Sequence, residues 1–60
     1  MKLWNGAVKL IEIFEKRSNK RIASFSADDV TCTEYICTFY MNGKELYKCD
    51  NSCYYKSYDL

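Results

Sequence analysis

Apolar and aromatic residues form two runs that flank an Asn-Gly pair in the second half of the chain. Residues 33–41 and 44–49 carry most of the aromatic and β-branched side chains of this region, which is typical of strands. Asn42 and Gly43 suit a two-residue type I′ turn, because Asn tolerates a positive φ and Gly has no Cβ to clash. The pattern predicts a β-hairpin over 33–49.

The N-terminal segment 3–17 offers a choice between a helix and a strand. Helical spacing puts most of its apolar residues on one face, with only Val8 and Ile13 out of place. In a strand, both faces would be mixed. The pattern favours a helix, and a strand over 7–16 is the alternative. The apolar face of the helix would hold Leu3, Trp4, Ala7, Leu10, Ile11 and Phe14.

Shorter segments connect and extend these elements. A basic turn over 16–21 leads into an alternating run, 21–26, which indicates a strand. The polar break that follows allows a single helical turn, and a helix over 28–41 is the main rival to the hairpin. The tail, 54–60, either adds an edge strand or stays unpaired.

Together these elements predict an α+β fold in a single small domain, residues 1–60. One N-terminal helix packs on a small antiparallel sheet that contains the Asn42-Gly43 hairpin, and the alternative is an all-β meander. Hydrophobic residues make up 48% of the chain and charged residues 28%, which argues against disorder. A chain of this length buries only about 60% of its unfolded surface. Domains this small often add a disulfide, a metal or a partner subunit, and a marginal core favours self-association, so a homo-oligomer is one expectation.

Charge and hydropathy limit the partners. The net charge is +1, too close to neutral for bulk attraction to nucleic acid or membranes. No apolar run approaches the ~20 residues that cross a bilayer. The first residues lack the apolar core of a signal peptide, so we expect a cytoplasmic protein with reduced thiols.

Four cysteines, Cys32, Cys37, Cys49 and Cys53, are spaced C-x4-C-x11-C-x3-C. Zinc sites most often use tighter spacers, and residues five apart in one strand or helix point in different directions. We favour reduced thiols that act as small hydrophobic residues. A zinc site with all four cysteines as ligands and a disulfide framework are the alternatives, so no cofactor is expected other than zinc.

Hairpin register decides which thiols meet. A two-residue turn pairs Phe39 with Leu46 and places Cys37 and Cys49 on opposite faces. A three-residue turn with Gly43 in a G1 bulge puts both thiols on one face, because a one-residue slip reverses every side chain.

Tyrosines provide the main candidate contacts with a partner, since they are too many for a small core to bury. Exposed tyrosine favours protein–protein contacts, although cross-strand pairing within the sheet is an equally good explanation. Trp4 is expected in the core. The six predicted partner-binding residues are Tyr35, Tyr40, Tyr47, Tyr54, Tyr55 and Tyr58.

A basic cluster suggests an alternative function. In this alternative, the four cysteines bind zinc and stabilise a module that contacts nucleic acid through the cluster. No aromatic residue lies within this cluster, so a solvated turn is the preferred interpretation. The sequence contains no histidine and no recognisable nucleophile–base pair, so we expect no enzyme. The candidate nucleic-acid ligands are Lys16, Arg17, Lys20 and Arg21.

The features on which a function rests are the short chain with an initiator Met, the abundant tyrosine, the near-neutral charge and the missing catalytic motif. In type, the chain resembles small accessory proteins that phages use to bind and block host or defence proteins. The resemblance implies an inhibitor that occludes a protein surface in the host cytoplasm. It carries no specific motif.

Overall fold

The computed structural model describes residue 4 and residues 6–60, and the elements in these residues are six β-strands. Among these residues there is no helix, and therefore none long and apolar enough to cross a membrane. Leu3 of the predicted helical face lies outside the described residues. The strands are β1 (Lys9–Glu15), β2 (Arg21–Ala27), β3 (Asp29–Cys32), β4 (Cys37–Met41), β5 (Lys44–Cys49) and β6 (Cys53–Asp59).

The predicted N-terminal helix is wrong, because its central residues form β1. Ile11 and Ile13 are fully buried and point to one side, while Leu10 and Phe14 lie on the other side and are half-buried. Apolar groups are thus needed on both faces of this central strand, which removes the simple alternation that a half-exposed strand shows. The same distribution of apolar residues mimics a helical face.

The strands form two antiparallel sheets of three strands each. The first sheet has the order β2-β1-β6 and the second the order β3-β4-β5. Only Asp28 separates β2 from β3, so the chain passes directly from one sheet into the other. The Asp28 N–H donates to the Tyr40 carbonyl (2.9 Å), and the Asp28 carboxylate accepts from the Asn42 N–H (3.0 Å). The α+β prediction is therefore replaced by an all-β fold. It is not a simple meander, since β6 returns to pair with β1.

The Asn42-Gly43 hairpin is confirmed, with φ of 55° and 77° at these two residues. Met41 pairs with Lys44 across the turn, as a two-residue turn requires. The register then shifts, because Tyr40 pairs with Glu45 but Phe39 pairs with Tyr47. Leu46 is therefore the extra residue of a β-bulge.

The bulge overturns both registers derived from the sequence. Phe39 does not face Leu46, and Cys37 pairs directly with Cys49, which puts both cysteine side chains on one face despite the two-residue turn. The predicted strand also starts too early, because residues 33–36 form a loop. The Thr33 hydroxyl accepts from the N–H groups of Tyr35 (3.3 Å) and Ile36 (3.1 Å), and such side-chain bonds compete with a strand ladder.

Between the sheets lies one apolar core, with Phe39 at its centre. The Phe39 ring contacts Phe25 (centroids 5.5 Å apart) and Tyr55 (5.0 Å) edge-on, and Trp4 lies 6.2 Å away. The Phe39 ring of the second sheet is therefore packed against two rings of the first sheet, and Trp4 packs where a core residue was expected. The buried apolar residues are Ile11, Ile13, Ala27, Val30, Phe39 and Cys49.

The predictions for the remaining segments are correct in part. The strand predicted over 21–26 is observed as β2, and the tail forms the edge strand β6. The rival helix over 28–41 is wrong, since this segment contains β3, a loop and β4. No helical turn forms at Asp28, where the chain only bends.

Candidate binding surface

The side of the first sheet that faces away from the core carries a regular array of side chains, which we call the outer face. Three strands each contribute three residues, and the registers of β1 with β2 and with β6 place them in three rows. The rows are Tyr54–Phe14–Arg21, Lys56–Glu12–Ser24 and Tyr58–Leu10–Ser26.

A bulge in β2 completes the first row. Ile13 pairs with Ala23, but Phe14 pairs with Arg21, so Ile22 is the extra residue. In a regular strand that included Ile22 in the ladder, Arg21 would have the same orientation as Ala23 and point towards the core, because side chains alternate along a strand. The bulge turns the guanidinium onto the outer face, where it reaches a carboxylate.

Two stacked rings stand at one end of the outer face. The Phe14 and Tyr54 centroids are 5.2 Å apart with an angle of 12° between the planes, and the Lys56 ammonium lies 5.1 Å from the Phe14 ring. The Tyr54 hydroxyl donates to the Asn19 side-chain oxygen (3.0 Å) in the β1–β2 turn. These contacts fix both rings, so little side-chain entropy remains to be lost on binding.

Glu12 organises the charges at the centre. Its carboxylate accepts from the Arg21 guanidinium (2.7 Å), and this bond, followed by one from Tyr58, lowers the pKa of Glu12. The same contact with Glu12 raises the pKa of Tyr58. Lys56 is the direct cross-strand neighbour of Glu12. The outer face thus carries two cations and one anion, and its carboxylate stays ionised well below neutral pH.

The six predicted partner-binding tyrosines do not form one surface. Tyr54 and Tyr58 lie on the outer face, as described. Tyr55 points inward and contacts Phe39. Tyr47 also points inward, 5.6 Å from Phe25, and burial raises its pKa.

Tyr35 and Tyr40 lie elsewhere on the surface. Tyr35 is 65% exposed, in the loop between β3 and β4. Tyr40 lines an open groove of about 410 Å³ at the corner between the sheets, beside Asp28 and Asn42. Because these two groups bind each other there, we assign the groove a structural role.

The basic cluster lies next to the outer face. Lys16, Arg17 and Lys20 are exposed in the β1–β2 turn, and Arg21 begins β2. The fold brings Phe14 and Tyr54 to this turn, although they are forty positions apart in the sequence. The fold therefore places two aromatic rings beside the basic cluster, although none lies within it in the sequence.

Sequence reasoning missed the other members of the outer face, above all Phe14, Glu12 and Lys56. Phe14 was placed in the core of a helix. Every second side chain of a strand lies on one face, and this rule groups Phe14 with Leu10 and Glu12. The rule can be applied only once β1 is known to be a strand, and the sequence pattern does not show that.

The four cysteines lie near one another, three at one end of the second sheet and Cys53 at the start of β6 in the first sheet. Cys32 and Cys37 form a disulfide across β3 and β4, so the expectation that all four thiols are reduced is wrong for this pair. Cys49 is a free, buried thiol, and Cys53 is free and half-buried. Burial, followed by the neighbouring Cys53 and Asp50, raises the pKa of Cys49.

The disulfide bears on the zinc alternative. Two of the four proposed ligands are joined to each other, which leaves two thiols. Within the described part of the chain, no group of three or more histidine, cysteine, aspartate or glutamate side chains is arranged to hold a metal ion.

No known protein family, curated protein or solved structure matches the chain.

Proposed function

We propose that this chain is a non-enzymatic module that binds another protein through the outer face and the adjoining basic turn. The observation that carries the proposal is the regular array on the first sheet. It presents the Phe14–Tyr54 stack, Tyr58 and two cations on the solvent-facing side of an antiparallel sheet. Aromatic residues and arginine are enriched in protein interfaces and at their energetic hot spots.

The size of the array indicates how far a partner must extend. Strands are ~4.8 Å apart and same-face residues ~7 Å apart, so three rows on three strands cover about 300 Å². A standard interface takes ~800 Å² from each partner. The contact must therefore continue beyond the array, and the exposed turn with Lys16, Arg17 and Lys20 is directly adjacent.

Charge selects the chemistry of the partner. The array and the turn together present five basic side chains against Glu12 and Glu15, and Glu12 is already paired with Arg21. We infer a partner surface with acidic groups around an apolar centre that receives Phe14 and Tyr54. In this proposal the bound chain covers that partner surface and blocks access to it, as expected of an inhibitor. A viral origin and a host-cell target remain predictions from the resemblance in type alone.

Matched charge reversals test the proposal. The double variant Lys20→Glu/Lys56→Glu changes the proposed surface, and Lys44→Glu/Lys48→Glu makes the same charge change on exposed positions of the second sheet. A protein captured from an extract of the source cells is purified, and its affinity for each variant is measured by calorimetry. We expect the first variant to lose tenfold or more in affinity, which is about 1.4 kcal/mol. The control should stay close to the unchanged protein.

Tyrosine truncations give an independent measurement. Tyr58→Ala removes an aromatic group from the array, whereas Tyr35→Ala removes an exposed ring from a distant loop. We expect loss of affinity for Tyr58→Ala only. Equal effects of both truncations and both charge reversals would place the contact elsewhere and overturn the proposal. Size-exclusion chromatography with light scattering, run beside the calorimetry, tells whether a second copy of the chain is the occupant.

One observation favours a second candidate, the binding of single-stranded nucleic acid. The Phe14–Tyr54 stack stands beside Lys20 and Arg21, and aromatic platforms next to basic groups bind bases and phosphates. The small net charge and the pairing of Arg21 with Glu12 count against it. Fluorescence anisotropy with a single-stranded oligonucleotide at two salt concentrations distinguishes the candidates, because phosphate contacts give a steep salt dependence.

A further inference from the structure

Four sulfurs converge at the end of the molecule opposite the Asn42-Gly43 turn, and the outer face makes no use of them. Cys37 lies on the central strand of the second sheet, with Cys32 as its partner on one side and Cys49 on the other. Cys53 follows Cys49 through a short turn in which its N–H donates to the Asp50 carbonyl (3.1 Å). Cys37, Cys49 and Cys53 line one pocket of about 280 Å³.

Cross-strand pairing puts two sulfurs within reach of Cys37. Directly opposed residues in antiparallel strands have Cα atoms ~4.5–5.5 Å apart, and disulfides span Cα separations of ~4.4–6.8 Å. Opposed side chains also point to the same face of a sheet. Cys37 can therefore bond to Cys32 or to Cys49 with the same strand register.

The two partners of Cys37 differ in exposure. Cys49 is 5% exposed and part of the core, whereas Cys32 lies at the exposed end of β3. The partner that Cys37 bonds therefore determines whether the remaining thiol is hidden in the core or offered to solvent.

We propose that Cys37 is the branch point of an intramolecular thiol–disulfide exchange site. The Cys49 thiol loses its proton to water, and the thiolate attacks the Cys37 sulfur. The Cys37–Cys49 bond forms as the Cys32–Cys37 bond breaks, and the electron pair leaves on the Cys32 sulfur. No oxidant or reductant is consumed, since one disulfide and one thiolate are present before and after.

The exchange creates a modification site. The released Cys32 thiolate is exposed and attacks a small disulfide such as oxidised glutathione. A mixed disulfide forms at Cys32, and one glutathione thiolate leaves. The ligand class of the site is thus a soluble disulfide or thiol, and this inference is independent of the proposed protein-binding function.

The surroundings of Cys49 set the pH at which exchange runs. Burial and the neighbouring Cys53 and Asp50 disfavour the thiolate, while Lys16 favours it. Tyr47 is a further titratable group beside these thiols. The same pocket is also lined by Glu34, Tyr35, Tyr54 and Tyr55. Because the attacking species is the thiolate, exchange is slow near neutral pH and accelerates as the pH rises past the ordinary thiol range.

Trypsin peptides separate the two disulfides. Residues 22–44 form one tryptic peptide with Cys32 and Cys37, and 49–56 form another with Cys49 and Cys53. The starting disulfide is internal to the first peptide, whereas a Cys37–Cys49 bond links the two. The oxidised protein is held at pH 9 without redox reagents, quenched in acid, alkylated with N-ethylmaleimide, digested and analysed by mass spectrometry.

We expect the linked peptides to appear with Cys32 alkylated, and not to appear in Cys49→Ser. The control Cys53→Ser should behave like the unchanged chain. A second variant, Cys32→Ser, is treated with oxidised glutathione under folding conditions and should form the Cys37–Cys49 bond. The proposal is overturned if the oxidised protein keeps only its internal bond, or if Cys32→Ser bonds Cys49 to Cys53 instead.

Discussion

Deletion of Leu46 tests the feature that sets the register of the second sheet. In the observed pairing, Leu46 is the extra residue between Glu45 and Tyr47. Its removal joins Glu45 directly to Tyr47 and gives a regular ladder with the same partners. Phe39 still faces Tyr47, and Cys37 still faces Cys49, so the core is kept.

The expected cost is small. Leu46 is 42% exposed, so it loses roughly half the ~1.5–3 kcal/mol that full burial of a leucine is worth. A restored ladder hydrogen bond returns about 0.5–1.5 kcal/mol. The net change in the free energy of unfolding is therefore about 1 kcal/mol or less, which corresponds to a Tm shift of at most ~4–8 °C.

Deletion of Lys48 is the matched control, since it also removes one exposed residue from β5. Cys49 then takes the outward position opposite Thr38, and Asp50 takes the inward position opposite Cys37. A carboxylate is forced into the core at a cost of several kcal/mol. A 60-residue domain has only ~3–9 kcal/mol in total, so this variant should not fold.

Thermal unfolding followed by circular dichroism measures both deletions, and the reactivity of Cys49 with a thiol reagent reports whether it stays buried. If Leu46 were instead the cross-strand partner of Phe39, its deletion would remove a core contact and reverse every later residue of β5. Loss of the cooperative transition in this variant, or a Cys49 as reactive as in denaturant, would refute the bulge.

Three further substitutions test separate parts of the structure. Gly43→Ala places a Cβ at a φ of 77° and should cost about 1 kcal/mol in urea unfolding, whereas unchanged stability would contradict the turn geometry. Phe39→Leu removes the ring by which the second sheet contacts Phe25 and Tyr55 of the first and should cost more than 1 kcal/mol; a smaller loss by the same measurement would argue against its central place. Arg21→Gln should raise the pKa of Glu12, followed by NMR, because the guanidinium bond that lowers it is gone. Folding lowers the pKa of Glu12. The contribution of Glu12 to stability is therefore present above the ordinary carboxyl pKa and is lost as the pH falls through the folded pKa. An unchanged Glu12 titration in Arg21→Gln would exclude the ion pair.

The parts of the fold that were predicted correctly depend on the properties of neighbouring residues alone. The positive φ at Asn42 and Gly43 follows from the steric freedom of these two residue types. The strand character of β2 follows from its short alternating pattern. These features depend on neighbours within a few positions, which a sequence displays directly.

The strand β1 could not be recognised in that way. As the central strand of its sheet it is covered on both sides, by the core at Ile11 and by the Phe14–Tyr54 stack on the other face. A strand with apolar groups on both faces has no period of two. Its sequence pattern resembles that of a helix, but β1 forms a strand because it pairs with β2 and β6, and the second of these partners lies far from it in the sequence.

The candidate surface divides in the same manner. Basic residues of the turn and several tyrosines were visible in the sequence, but only the β1–β6 register brings Tyr54 beside Phe14 and next to that turn. Tyr47 and Tyr55 went to the core because the alternation of their strands points them inward.

The sequence by itself determined the hairpin turn, the strand over 21–26 and the supply of aromatic, basic and thiol groups. Tertiary structure decided where those groups meet. A bulge inserts one unpaired residue into a strand and reverses the faces of all later side chains in that strand. No local signal marks Leu46 or Ile22 as the extra residue. The positions of both bulges are set by which side chains the two sheets bury together, and they place Cys49 opposite Cys37 and Arg21 beside Glu12.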